Sequence, residues 1–184
     1  MGKIISFSNQ KGGVGKTTTC VNMAAYLATS HKKVLLIDLD PQGNATTGLG
    51  FSKSTLKKSS YNVVIDDEEV KDNVLPTEIE GLDILPANID LAGAEVELVY
   101  KKSREKVLKT ALEKVRKYYD FLLIDCPPSL GLLTINALAA ADSVIIPIQS
   151  EYYALEGLSQ LMNTISLVRQ HLNKSLVIEG VVLT

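Results

Sequence analysis

Residues 8–18 read Ser8-Asn9-Gln10-Lys11-Gly12-Gly13-Val14-Gly15-Lys16-Thr17-Thr18. The ending, G-K-T-T, is that of a phosphate-binding loop, whose common form is G-x-x-x-x-G-K-[ST]. That form asks for glycine where Gln10 stands, and it has no place for Lys11, five residues before Lys16. The rest of the loop has the required physics. Glycines let a backbone fold tightly around an oxyanion, so that its N–H groups point inward at phosphate. Gly12, Gly13 and Gly15 supply that freedom. Lys16 is placed to reach the β- and γ-phosphates, and the Thr17 hydroxyl to bind Mg²⁺. Lys11 has two readings. A lone lysine usually extends into solvent; alternatively, it carries charge to a nucleotide outside its own loop.

On either side of the loop, apolar runs alternate with helical patterns. Residues 4–7 form a short strand, and Lys16–Thr29 a helix with Val21, Ala24, Ala25 and Ala28 on one face. Val34–Asp38, 82–86, Phe121–Asp125, Ser143–Ile148 and 176–183 read as strands. Residues 91–100, 104–119, 132–141 and Ala154–His171 read as helices. The Gly-, Ser-, Thr- and Lys-rich stretch 43–60 reads as an exposed, mobile connection, and 61–76 gives no clear pattern. Alternating strands and helices predict an α/β fold, a mostly parallel sheet with helices on both faces. Ligands of such sheets bind beyond the carboxyl ends of the strands. Segments 8–18, 38–44 and 125–131 each follow a strand.

The 184 residues, 46% hydrophobic and 22% charged, suit one domain with a sizeable core. A net charge of −2 argues against a chain that coats nucleic acid by bulk charge, but not against a local basic face. Cys20 and Cys126 are too few for a disulfide framework and fit a reducing cytosol. Gly2 and Ser6 match a myristoylation pattern, although a glycine leading into a buried strand is the simpler reading. The run 130–141 is too short to span a bilayer. Neither His31 nor His171 has a ligand-spaced partner.

Asp38, Asp40 and Asp125 end two strands able to flank the loop. Asp125, after four apolar residues, reads as the carboxylate that would hold Mg²⁺, through water because Mg²⁺ dehydrates reluctantly. Each of the three is also open to a plainer reading, a strand-end carboxylate capping a turn.

K-G-G-V-G-K-T-T over 11–18 resembles the deviant Walker A motif of the ParA/MinD ATPases. L-L-I-D-L-D-P-Q-G-N-A-T over 35–46 and L-L-I-D-C-P-P-S-L-G over 122–131 resemble the other two ParA signatures. G-L-D-I-L-P-A-N-I-D-L-A-G-A-E over 81–95 is similar to the chromosomal ParA proteins called Soj. The resemblance covers essentially the whole chain and implies a P-loop NTPase of the deviant Walker A type. It makes Lys11, Gly12, Gly13, Val14, Gly15, Lys16, Thr17 and Thr18 the ATP-binding residues, with Lys11 crossing a dimer interface to the partner's ATP. Catalysis then falls to Lys11, Lys16 and Asp40, the last as the switch I residue orienting the attacking water. Mg²⁺ is held near Thr17, Asp38 and Asp125. Pro127, Pro128 and Gly131 form switch II, Gly131 allowing a close approach to the γ-phosphate.

The implied function is partition of chromosomes or plasmids by a cytoplasmic, nucleoid-associated ATPase. It forms a homodimer on binding ATP, holds double-stranded DNA non-specifically, and has its hydrolysis stimulated by a ParB-type partner; no membrane is expected. A MinD-like division-site ATPase and a nucleotide-binding module without useful turnover are the alternatives. Residues 1–184 read as a single P-loop ATPase domain. Family members continue past Thr184, so the chain is expected to lack their C-terminal part. Segment 101–117 carries eight basic residues against two acidic, with an inward stripe of Val107, Ala111 and Val115. It reads either as a solvated helix face or as part of a DNA-binding surface.

Overall fold

A seven-stranded sheet in the order β3-β4-β2-β5-β1-β6-β7 carries the site. Its strands are β1 (Lys3–Phe7), β2 (Val34–Asp38), β3 (Leu75–Pro76), β4 (Leu82–Leu85), β5 (Phe121–Asp125), β6 (Ser143–Ile148) and β7 (Val177–Leu183). β3 pairs antiparallel with β4, and every other pairing is parallel. The computed structural model describes residues 1–150 and 154–184, with side chains in the second stretch from 157 onward. The helices are α1 (Lys16–Thr29), α2 (Asn44–Gly48), α3 (Ser60–Val64), α4 (Val70–Asn73), α5 (Leu91–Glu97), α6 (Val107–Val115), α7 (Leu132–Ala140) and α8 (Ala154–His171). Single 3₁₀ turns extend α5 and α6.

The central strands are continuous apolar runs because both faces of the sheet are covered. Alternation sends Ile4, Leu35, Ile37, Leu122, Ile124, Val144 and Ile146 to one face, beneath α5, α6, α7 and α8. Ile5, Phe7, Leu36, Ile84, Leu123 and Ile145 go to the other, beneath α1. α1 meets the sheet through Cys20, Ala24 and Ala28, all buried. Val21 and Ala25 only flank that stripe. Such small side chains let the helix lie close to the strands, and so hold the loop before it near their ends.

Register decides what meets at the carboxyl edge. Phe7 pairs with Asp125, and Asp125 with Asp38, so β1, β5 and β2 end at one level. The three segments singled out in the sequence therefore emerge side by side.

Three expectations are corrected. Residues 43–60 are not simply an exposed connection: α2 lies within them, and Ala45, Thr46, Ser59 and Ser60 are buried. Their polarity is used internally, the Ser60 hydroxyl donating to Asp38 O at 2.8 Å. Segment 61–76 holds the end of α3, then α4 and β3. Finally, α6 starts at Val107 rather than 104, after a turn in which Ser103 has φ 52°. Its buried stripe is Leu108, Leu112 and Val115. The predicted spacing of 107, 111 and 115 drifts around a helix of 3.6 residues per turn, whereas i, i+4, i+7 stays on one face.

Gly2 is buried, and a Cβ there would collide with the carbonyls of Tyr119 and Arg116. Its glycine is thus explained by packing. Among the described residues, no helix is long and apolar enough to cross a membrane.

Candidate functional site

The loop between β1 and α1 is pinned at its start by Asn9. Its Nδ2 donates to Pro147 O at the end of β6 (2.7 Å), and its Oδ1 accepts from Lys11 N (3.0 Å). Gly13 and Gly15 adopt φ of 75° and 73°, where a side chain would be strained. Gly15 precedes α1 and offers no side-chain cap, so the first N–H groups of that helix are left to an anion. Lys16 folds back across the loop, Nζ donating to Lys11 O at 3.0 Å, and is only 6% exposed. Lys11 itself is partly exposed, as are Thr17 and Gly15; Gly12, Gly13 and Thr18 are exposed, and Val14 is buried. The loop's outer carbonyls are also held, Gly13 O by Gln149 Nε2 (3.1 Å) and Val14 O by Thr184 Oγ1 (3.1 Å).

The two acidic segments differ. Asp38 is fully buried and shapes its own loop. Its Oδ2 accepts from Thr46 N (2.8 Å) and Thr46 Oγ1 (2.6 Å), and its Oδ1 from Asp40 N (3.2 Å). Thr46 Oγ1 in turn accepts from Ala87 N (2.9 Å), which ties the segment to the end of β4. Asp40, 6% exposed, accepts from Gln42 N at 2.9 Å and so turns the chain tightly. Burial pushes the Asp38 carboxyl up to about 6, opposed by its Thr46 and Asp40 hydrogen bonds.

Asp125 is also buried, yet neither carboxylate oxygen has a well-formed hydrogen bond among the described residues. Burial, then the nearby Asp38, push it up to about 7, while the neighbouring Thr17 hydroxyl and the Lys16 ammonium pull the other way. A buried carboxylate left without partners calls for an explanation. A Mg²⁺ held by Asp125 and Thr17 would supply one. No group of three or more His, Cys, Asp or Glu among the described residues could hold a metal. The ion's remaining ligands would therefore be phosphate oxygens and water, the usual arrangement for Mg²⁺ with a nucleotide.

Lys16 sits in the middle of this charge. Burial lowers its pKa, and the Asp125 and Asp40 carboxylates partly restore it. Cys126, held by Ser8 Oγ at 3.3 Å, is pushed by burial up to about 12 and stays a thiol at neutral pH. Cys20 is likewise buried and free.

After Asp125 the chain runs through Pro127 and Pro128 to Gly131, which precedes α7. Gly131 has an extended backbone (φ −78°), so φ does not demand glycine there. A Cβ there would lie 2.5 Å from Glu95 Oε1 and would push that carboxylate aside. Glu95 accepts from Leu132 N (2.7 Å) and Leu133 N (3.3 Å). The sequence reading had assigned that room to the γ-phosphate.

The loop, Asp38, Asp40 and Asp125 thus share one edge, while Asn9, Thr46, Glu95 and Gln149 were missed. Their side chains act across gaps in sequence of up to 138 residues, as for Asn9 to Pro147, and no local pattern marks such contacts.

A family model described as an AAA domain matches residues 2–178. The sporulation initiation inhibitor protein Soj of Bacillus subtilis is 62% identical over 184 residues, covering 100% of this chain and 73% of that protein. This chain belongs to the ParA/Soj family. The chromosome partitioning protein ParA of Myxococcus xanthus is 55% identical over 184 residues, all of this chain and 65% of the relative, so this ParA-family chain spans just under two thirds of it. Among solved structures, a Mycobacterium smegmatis protein named cobyrinic acid a,c-diamide synthase superposes with a TM-score of 0.95 at 45% identity. It covers 100% of this chain and 75% of that one, and it holds an ATP analogue and magnesium.

Proposed function

We propose that this chain is an ATPase of chromosome or plasmid partition whose domain, 1–184, switches between a monomer and an ATP-held homodimer. In that dimer Lys11 extends to the partner's nucleotide. The observation that carries this is the division of labour between the two lysines of one loop. Lys16 is turned inward onto Lys11 O, while Lys11 stays at the partly exposed rim. On this reading one cation would serve its own phosphates, and the second would serve charge developing on the partner's nucleotide.

Mg²⁺, held by Thr17 and Asp125 with Asp38 behind it, would neutralise the β- and γ-phosphates. Asp40 orients the attacking water, and hydrolysis releases the 127–131 segment. The dimer holds double-stranded DNA without sequence preference on the nucleoid, and a ParB-type partner speeds hydrolysis. The curated relatives' partition and Soj names support this reading. The deciding experiment is light scattering on Asp40→Ala, with and without Mg-ATP, beside Asp40→Ala/Lys11→Ala. An ATP-dependent doubling of mass that Lys11→Ala removes supports the reading. A monomer throughout, with ATP bound, refutes it.

For DNA, the 101–117 segment offers less than its composition suggests. Lys101 is turned inward to Val64 O, Ile65 O and Asp67, Arg104 donates to Val99 O, and Lys114 pairs with Glu69. Arg116 is tied to Gly2 O and Asp142. Lys102, Lys106 and Lys117 remain exposed and Lys109 partly so, Lys117 lying over the Tyr118 ring. Lys102→Glu/Lys106→Glu is expected to weaken DNA binding and to lower the slope of log K against log salt by about 2. An unchanged slope in a binding titration would remove this face from the DNA surface.

A further inference from the structure

Residues 81–95 carry the likeness to Soj proteins. Their last residue, Glu95, is half-buried on α5 and caps a different helix. The first N–H groups of α7 have no partner within their own helix, and Gly131, the residue before it, has no side chain to supply one. Glu95 supplies it instead, through both carboxylate oxygens, and a carboxylate there also suits the helix dipole. The absent side chain of Gly131 is what makes the approach possible.

A cap drawn from another element ties two elements together. The segment from Asp125 to α7 is fastened at its start by Cys126 N to Phe7 O (3.3 Å) and near its end by Thr134 Oγ1 to Ser129 O (2.8 Å). Glu95 is the tether that refers this segment to α5, outside the strand-and-loop framework of the site. Resting on the ATPase reading above, we propose that Glu95 is a positioning residue for ATP turnover. It holds the first turn of α7, and with it Gly131 and the diproline, where the Asp125 segment can respond to the nucleotide. It touches neither phosphate nor metal.

The test separates positioning from mere support. Glu95→Ala is expected to lower kcat by about 10- to 100-fold, the cost of small misplacements in a preorganised site. The Kd for ATP, set by the 8–18 loop, should stay within about twofold. Glu95→Gln keeps an oxygen able to accept one of the two N–H groups and should recover most of the rate. Amide exchange should speed up at both Leu132 and Leu133 in Glu95→Ala, and in Glu95→Gln only at the one amide left without an acceptor. Gly131→Ala should lower Tm by about 5 °C in the wild-type background and leave it unchanged in Glu95→Ala, where the added methyl has room.

Wild-type kcat in Glu95→Ala overturns the proposal. So does a rate loss matched by an equal loss of ATP affinity or of folded protein. A wild-type chain that binds ATP but never turns it over defeats the partition ATPase instead. The clamp is then judged by exchange and by the paired Tm values, and unchanged exchange in Glu95→Ala sinks it.

Discussion

Lys16→Ala is expected to weaken Mg-ATP binding by at least about 30-fold, the equivalent of about 2 kcal/mol, and by up to about 5 kcal/mol. Lys16 is the cation built into the interior of the loop: 6% exposed, anchored on Lys11 O, and facing Asp125 and Asp40. Burial disfavours its charge, so the ammonium is maintained partly by those carboxylates. Phosphates arriving at the N-terminus of α1 bring stronger anionic partners. Removing the ammonium removes charge-assisted hydrogen bonds and leaves a negatively charged ligand near Asp38, Asp40 and Asp125. Titration with a fluorescent ATP analogue measures it. A Kd within about threefold of wild type, in a variant with an unchanged circular dichroism spectrum, would show that the loop binds phosphate through its backbone alone.

Asp125→Asn should separate the cost of this site from its use. The Asp125 carboxyl sits at about 7 in the folded chain, mainly through burial, against about 3.9 in an unfolded one. Between those values the folded state binds the proton more tightly, so this group's contribution to stability falls as pH rises from about 4 to about 7. At pH 8 the nucleotide-free protein holds a buried anion that the nearby Thr17 hydroxyl and Lys16 ammonium offset only in part. A shift of this size corresponds to at most about 4 kcal/mol, and coupling to Asp38 divides it between the pair. The asparagine variant escapes that cost. Its Tm without nucleotide should exceed wild type by roughly 5–10 °C at pH 8 and equal it near pH 4. With Mg-ATP the order should reverse, because the variant has lost the metal's anionic partner, and hydrolysis should fall by at least about 100-fold. A scanning-fluorimetry series over pH with and without Mg-ATP reads both effects. A wild-type chain more stable than Asp125→Asn at pH 8 without ligand would show that Asp125 is not held as an unpaired anion.

These two experiments probe residues that local patterns identify. Lys16 stands in a motif in which spacing dictates chemistry, and Asp125 ends an apolar run with a single charge. The helix Lys16–Thr29 and the strands Val34–Asp38 and Phe121–Asp125 were legible with their observed bounds for the same reason. Each is long enough, or apolar enough, for periodicity to dominate. The 43–60 stretch was misjudged because small polar residues look alike whether they meet water or bond one another. Thr46 shows this: it appears as one more exposed threonine, yet its hydroxyl lies between Asp38 and Ala87 N.

The chain by itself determined the alternation of strands and helices, the glycine loop with its two lysines, and the acidic strand ends. All of these rest on interactions between near neighbours, for which composition and period are sufficient. Only the tertiary structure decided that Phe7, Asp125 and Asp38 end at one level, since that depends on strand order and register. It also decided which carboxylate is satisfied and which is not. Asp38 finds Thr46 eight residues on, whereas neither Asp125 oxygen has a well-formed hydrogen bond among the described residues. And it gave Gly131 its reason. A missing side chain has no signature of its own, and its purpose appears when Glu95, from another helix, occupies the space.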